Sequence, residues 1–238
     1  KDEIRSKILS EDPIKGSTFP LINRIGYTQM YRFGSPPNYN PKPDECIESM
    51  AKEKGITAAE LAYENLIEND GNNFIYAPLV NYADHTFGVC KKMLDDKNAI
   101  MGLGDGGAHV GFILDAGYPT WLISYWSVKQ KAYSMEETVR RLTSDTANAA
   151  GLNDRGILKV GLKADINIID WENVGSSDPF MTQDLPAGGK RLMQHTKGYV
   201  TTIVSGKVTY KNGKFTKERP GTVVKSVKNE EKTLEFIN

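Results

Sequence analysis

Cysteine is scarce in this chain: Cys46 and Cys90 are the two present, far apart and outside any CxxC or Cys/His spacing. Neither a disulfide framework nor a zinc knuckle is written there, and both are expected to be reduced, buried thiols. No run of about 18 apolar residues occurs, which excludes an ordinary membrane-spanning helix. Net charge is also missing, since 30 basic residues balance 30 acidic ones. Nothing therefore draws the chain toward nucleic-acid phosphates or an anionic bilayer, and the expected partner is a small molecule. Histidine is limited to His85, His109 and His195. None shows ligand spacing, and on their own they read as surface or structural side chains. The chain opens at Lys1 on a charged helical pattern rather than a leader, which leaves the compartment unread; a cytoplasmic setting is the working expectation.

What is present is globular. The 238 residues are 39% hydrophobic and 25% charged, enough for a substantial core. Residues 1 to 12 read as a helix. Pro13, Pro20, Pro36, Pro37, Pro41 and Pro43 then break regular structure repeatedly, so residues 13 to 43 are expected to be loop. CIESMAKEKG predicts a helix closed by Gly55, and Thr57 with Glu60 three positions on predicts a capping box opening the next one. The apolar runs 73 to 83 and 99 to 107, separated by the helical text VCKKMLDDK, predict a parallel strand–helix–strand unit. The barrel enzymes place their chemistry at the C-terminal ends of such strands. The aromatic group Tyr118, Trp121, Tyr125 and Trp126 has the spacing of a packed helix face, with a substrate-pocket wall as the alternative. Ser134 and Glu137 predict another helix start, and Gly151 its stop. Beyond that point the period changes to two in ADINIID, YVTTIVS and KVTYKNGKFT, with Ser205-Gly206 and Asn212-Gly213 at turn positions.

Three segments, GLGDGGAHVGFILDAGYPTWL, LTSDTANAAGLNDRGILKVGLKADINIID and VSGKVTYKNGKFTKERPGTVV, together resemble the amidohydrolase superfamily, in particular its N-acyl-D-amino-acid deacylase (D-aminoacylase) branch. The resemblance covers most of residues 44 to 225. It implies an α/β fold: the C-terminal part of a metal-dependent (β/α)8 TIM-like barrel plus a small β-sandwich. On that reading residues 1–43 are an irregular insertion, 44–152 hold the last barrel strands and helices, and 153–238 form the sandwich segment.

The same resemblance assigns Asp105 as the catalytic residue and a weak metal ligand. A carboxylate at a strand end beside a zinc-bound water takes its proton and later returns it to the leaving amine. Without the flanking segments, Asp105 between Gly104 and Gly106 reads as an ordinary turn aspartate. Gly106, Gly107 and His109 follow in the same loop as implied substrate-binding residues. Family members commonly carry serine before this aspartate, where this chain has Gly104, so one hydroxyl that would steady the carboxylate is missing. The His-x-His pair, bridging ligand and further histidines of a zinc amidohydrolase are not in the sequence. The implied zinc, one or two ions, therefore draws most of its ligands from elsewhere. A barrel of this type needs about 250 residues, so a missing N-terminal segment or another chain is expected to cover apolar residues such as Ile75, Leu79, Ile100 and Leu103. The implied activity is zinc-dependent hydrolysis of N-acyl-D-amino acids by the full-length parent. The alternatives are a related enzyme acting on cyclic amides or N-acyl dipeptides, and a catalytically silent fragment.

Overall fold

The computed structural model describes residues 2–11, 25–102 and 107–225, a mixed helix and strand chain divided into two compact units, Lys1–Asp96 and Lys97–Asn238.

In the first unit, helix α1 (Asp2–Ser10) is followed by strand β1 (Tyr31–Phe33) and helices α2 (Ile47–Lys54) and α3 (Ala58–Ile67). The α2 start is capped by a thiol: Cys46 Sγ accepts from the Ser49 N–H at 3.4 Å. Its end is the left-handed Gly55, φ 69°, a conformation that glycine adopts without a Cβ penalty. The Thr57 capping box forms in both directions, Glu60 N–H to Thr57 Oγ1 at 3.2 Å and Thr57 N–H to Glu60 Oε2 at 2.9 Å. These bonds, with Arg5 beside them, hold the Glu60 carboxyl below its ordinary pKa. Arg5 of α1 reaches both Glu60 and Glu64 of α3, at 3.3 and 3.6 Å. Ile47, Ala51, Leu61 and Ala62 form the core between α2 and α3, and Ile75 packs against it. Strand β2 (Phe74–Tyr76) pairs antiparallel with β1, Tyr31 opposite Tyr76 and Phe33 opposite Phe74. Helix α4 (Gly88–Asp95) follows.

This pairing corrects the expected parallel unit. The helix between the two apolar runs is present, but the first run yields three strand residues whose ladder partner is β1, from the stretch expected to be loop. Pro78 has no N–H to continue that ladder. Residues 99–102 carry no strand, and Ile100 is 57% exposed; Leu103 and the rest of that run through Gly106 lie outside the described residues. Ile75, one of the residues expected to need another segment to cover it, is partly buried against the α2–α3 core. Cys46 is buried as expected, whereas Cys90 in α4 is only partly so.

In the second unit a loop leads into helix α5 (Tyr118–Trp121), which continues as a π-helix over Leu122–Lys129. Of the aromatic group Tyr125 and Trp126 are buried and Tyr118 and Trp121 half-buried; Trp121 stacks on Tyr125 at 4.4 Å, and Trp126 meets Tyr125 edge-on at 5.2 Å. Ser134 Oγ accepts from the Glu137 N–H at 3.1 Å to start helix α6 (Met135–Leu142). The single helix expected up to Gly151 breaks at Thr143 (φ −125°, ψ −84°), and helix α7 (Ser144–Ala149) begins afresh.

Strands β3 (Ile166–Ile169), β4 (Gly175–Ser176), β5 (Phe180–Leu185), β6 (Gly189–Met193), β7 (Thr196–Lys197), β8 (Tyr199–Val204), β9 (Lys207–Lys211) and β10 (Lys214–Phe215) complete the chain. The alternating segments form one antiparallel sheet in the order β10-β9-β8-β3. Its two hairpin turns have positive φ at both central residues, 50° and 77° at Ser205-Gly206 and 48° and 74° at Asn212-Gly213. That is the geometry whose twist matches the flanking strands. Two further antiparallel pairs, β4 with β7 and β5 with β6, lie between β3 and β8 in sequence.

Candidate functional site

The loop entering α5 is built on backbone bonds. Gly107 has φ 98° and His109 φ 52°, and the His109 carbonyl accepts from both Phe112 and Ile113 N–H at 3.0 Å. The Leu192 N–H of β6 then donates to the Val110 carbonyl at 2.7 Å, tying the loop to the β5–β6 hairpin. Between the two lies a cleft of about 460 Å³, the size of a small-molecule site. Its walls are largely apolar, with Ile113, Leu114, Leu192 and Met193 among them.

Three ionisable side chains line it: His109, Asp115 and Arg191. Arg191 is held away from ligand duty by a two-pronged pair with Asp184, Nε to Oδ1 and Nη2 to Oδ2, each 2.7 Å. The pairing lowers the Asp184 carboxyl and raises the arginine. The His109 ring lies against Phe112, centroids 5.6 Å apart. Asp115 differs from both. It begins the short turn Asp115–Gly117 ahead of α5 and is exposed at the cleft. Among the described residues its carboxylate has no hydrogen-bond or ion-pair partner. The surrounding walls nonetheless withdraw enough water to push its pKa up.

Of the residues implied by the sequence, Gly107 and His109 are brought together in this cleft. Asp105 and Gly106 lie outside the described residues. His85 is elsewhere, in the first unit, where its Nδ1 meets the Tyr31 hydroxyl at 2.5 Å. Burial, then Cys46 and Glu45, raise the pKa of that tyrosine. His195 is exposed, its ring 4.9 Å from that of Phe180. Zinc does not fit the described residues, because no three His, Cys, Asp or Glu side chains gather there around one point. Asp115, Arg191 and Asp184 were missed in the sequence. The signals available were an acidic residue directly before an aromatic helix and opposite charges seven apart across a hairpin turn.

The chain resembles known proteins along parts of their length. A dihydroorotase from Lactobacillus acidophilus is 33% identical over 89 residues, 36% of this chain and 20% of the dihydroorotase. Among solved structures, a D-aminoacylase mutant in complex with CuCl2 aligns at 16% identity and a TM-score of 0.40, covering 79% of this chain and 36% of that one. The chain thus spans between a fifth and about a third of the length of these relatives. The sequence profile described as the amidohydrolase family matches residues 47–210, from the first residue of α2 to Tyr210 in β9. That span takes in the helical core, the cleft loop and most of the antiparallel sheet, and the chain belongs to the amidohydrolase family.

Proposed function

We propose that the whole protein hydrolyses the amide bond of N-acyl-D-amino acids, with Asp105 as its proton shuttle. The observation that carries this reading is the family match over residues 47–210, which includes the Asp105-Gly106-Gly107 sequence and the cleft residues that follow it. The Asp105 carboxylate takes a proton from the attacking water as the C–O bond forms, and delivers it to the leaving nitrogen as the C–N bond breaks. Gly106, Gly107 and His109 bind the substrate beside it. A divalent metal, zinc on this reading, is held by residues other than those described. In this arrangement residues 44–152 complete a (β/α)8 barrel and residues 153–238 a β-sandwich, with a further segment or chain covering exposed apolar surface.

A cyclic amide is the second reading, favoured by the local match to a dihydroorotase. Assaying the full-length protein with N-acetyl-D-amino acids, their L-enantiomers and dihydroorotate separates the two. Turnover confined to the D-series supports the first reading. Ring opening of dihydroorotate in its place supports the second, and hydrolysis of none of these discards both.

A further inference from the structure

We infer that the cleft between the 107–117 loop and the β5–β6 hairpin recognises a ligand with a cationic head and an apolar body, the head pairing with Asp115. The argument starts from charge. Asp115 is exposed at the cleft and only partly desolvated by its walls, so its ionised carboxylate gains from a cation placed beside it. The groups facing the cleft from each wall do not supply that pair. Arg191, on β6, is committed to Asp184 through two bonds of 2.7 Å, and that couple is neutral as a unit. His109 stands on the loop against Phe112. Among the described residues the cleft therefore presents one unpaired negative charge at its rim, with Ile113, Leu114, Leu192 and Met193 in its walls.

A primary ammonium on an aliphatic stem of a few carbons complements both features. Its charge-assisted hydrogen bond replaces water at Asp115, while its stem buries apolar surface. The occupant is thus an amide whose amine-side or acyl-side chain ends in a cation. In calling this occupant a substrate the inference rests on the amide-hydrolysis reading, whereas recognition itself rests on the cleft alone.

The test is binding, without turnover. N-benzoyl-1,5-diaminopentane carries a terminal ammonium, and N-benzoyl-5-aminopentanol has the same shape with a neutral hydroxyl. Calorimetric titration of the 238-residue chain should give about 10-fold tighter binding for the ammonium probe. Asp115→Glu should keep that preference and Asp115→Asn should abolish it, with affinity for the alcohol unchanged. Thermal unfolding of each variant confirms that it is folded. Equal binding of the two probes, binding of neither, or a preference surviving in Asp115→Asn would overturn the inference. Loss of amide turnover in the full-length protein would not touch it, so the two ideas fail separately.

Discussion

Replacing Asp105 by Asn keeps the side chain's shape and one acceptor oxygen while removing the basicity that a proton shuttle needs. Turnover of an N-acyl-D-amino acid by the full-length protein should fall about 10²- to 10⁴-fold. Metal content should change much less, because the stronger ligands lie elsewhere. Steady-state rates measured beside metal stoichiometry decide the point. Full activity in the variant would remove Asp105 from the mechanism, and parallel loss of metal and activity would make it a structural ligand. At this scale the sequence marks Asp105 through its glycine neighbours and flanking text. Asp115 carries no such mark. What singles it out is the absence of a partner among the described residues, where the arginine lining the same cleft, Arg191, pairs with Asp184. Pairing of this kind is a property of the folded hairpin and leaves no spacing to read.

Helix starts and tight turns were legible because each is settled by a few neighbouring residues. Thr57 with Glu60, Ser134, Gly55 and the Ser205-Gly206 and Asn212-Gly213 turns all occupy the predicted places. Thr57→Ala should cost about 1 kcal/mol, read as a lowered denaturant midpoint at unchanged slope, while Thr57→Ser should retain most of it. A loss as small in Ala as in Ser would show the cap to be idle. The Glu60 half of the box depends on an ionised carboxylate whose folded pKa is depressed. Its contribution is therefore full above the ordinary carboxylate range and fades as pH falls through the lowered value. Strand pairing was less legible. The text of β1, Tyr31–Phe33, is three residues between prolines, and the described part of the second apolar run, 99–102, forms no strand. Whether an apolar run becomes a strand depends on a partner's edge, which local composition does not carry.

At the scale of the whole chain, several apolar side chains among the described residues are exposed. Ile157, Leu158 and Val160 are 54%, 84% and 101% exposed, in the loop between α7 and β3. On the proposed barrel reading a further segment or second chain covers them. Amides of residues 157–161 should accordingly exchange with deuterium more slowly in the full-length protein than in this chain. Identical exchange would leave the patch without a cover. The terminal sheet has a different consequence, one of order in time. Strands β8, β9 and β10 are joined by two-residue turns, so their pairing closes short loops and carries little entropic cost. Strand β3 meets β8 only after residues 170–198 have been looped out, with two hairpin-like pairs inside that excursion. The meander can therefore form as a local event, and the docking of Ile166–Ile169 against it is the step whose rate is set by topology.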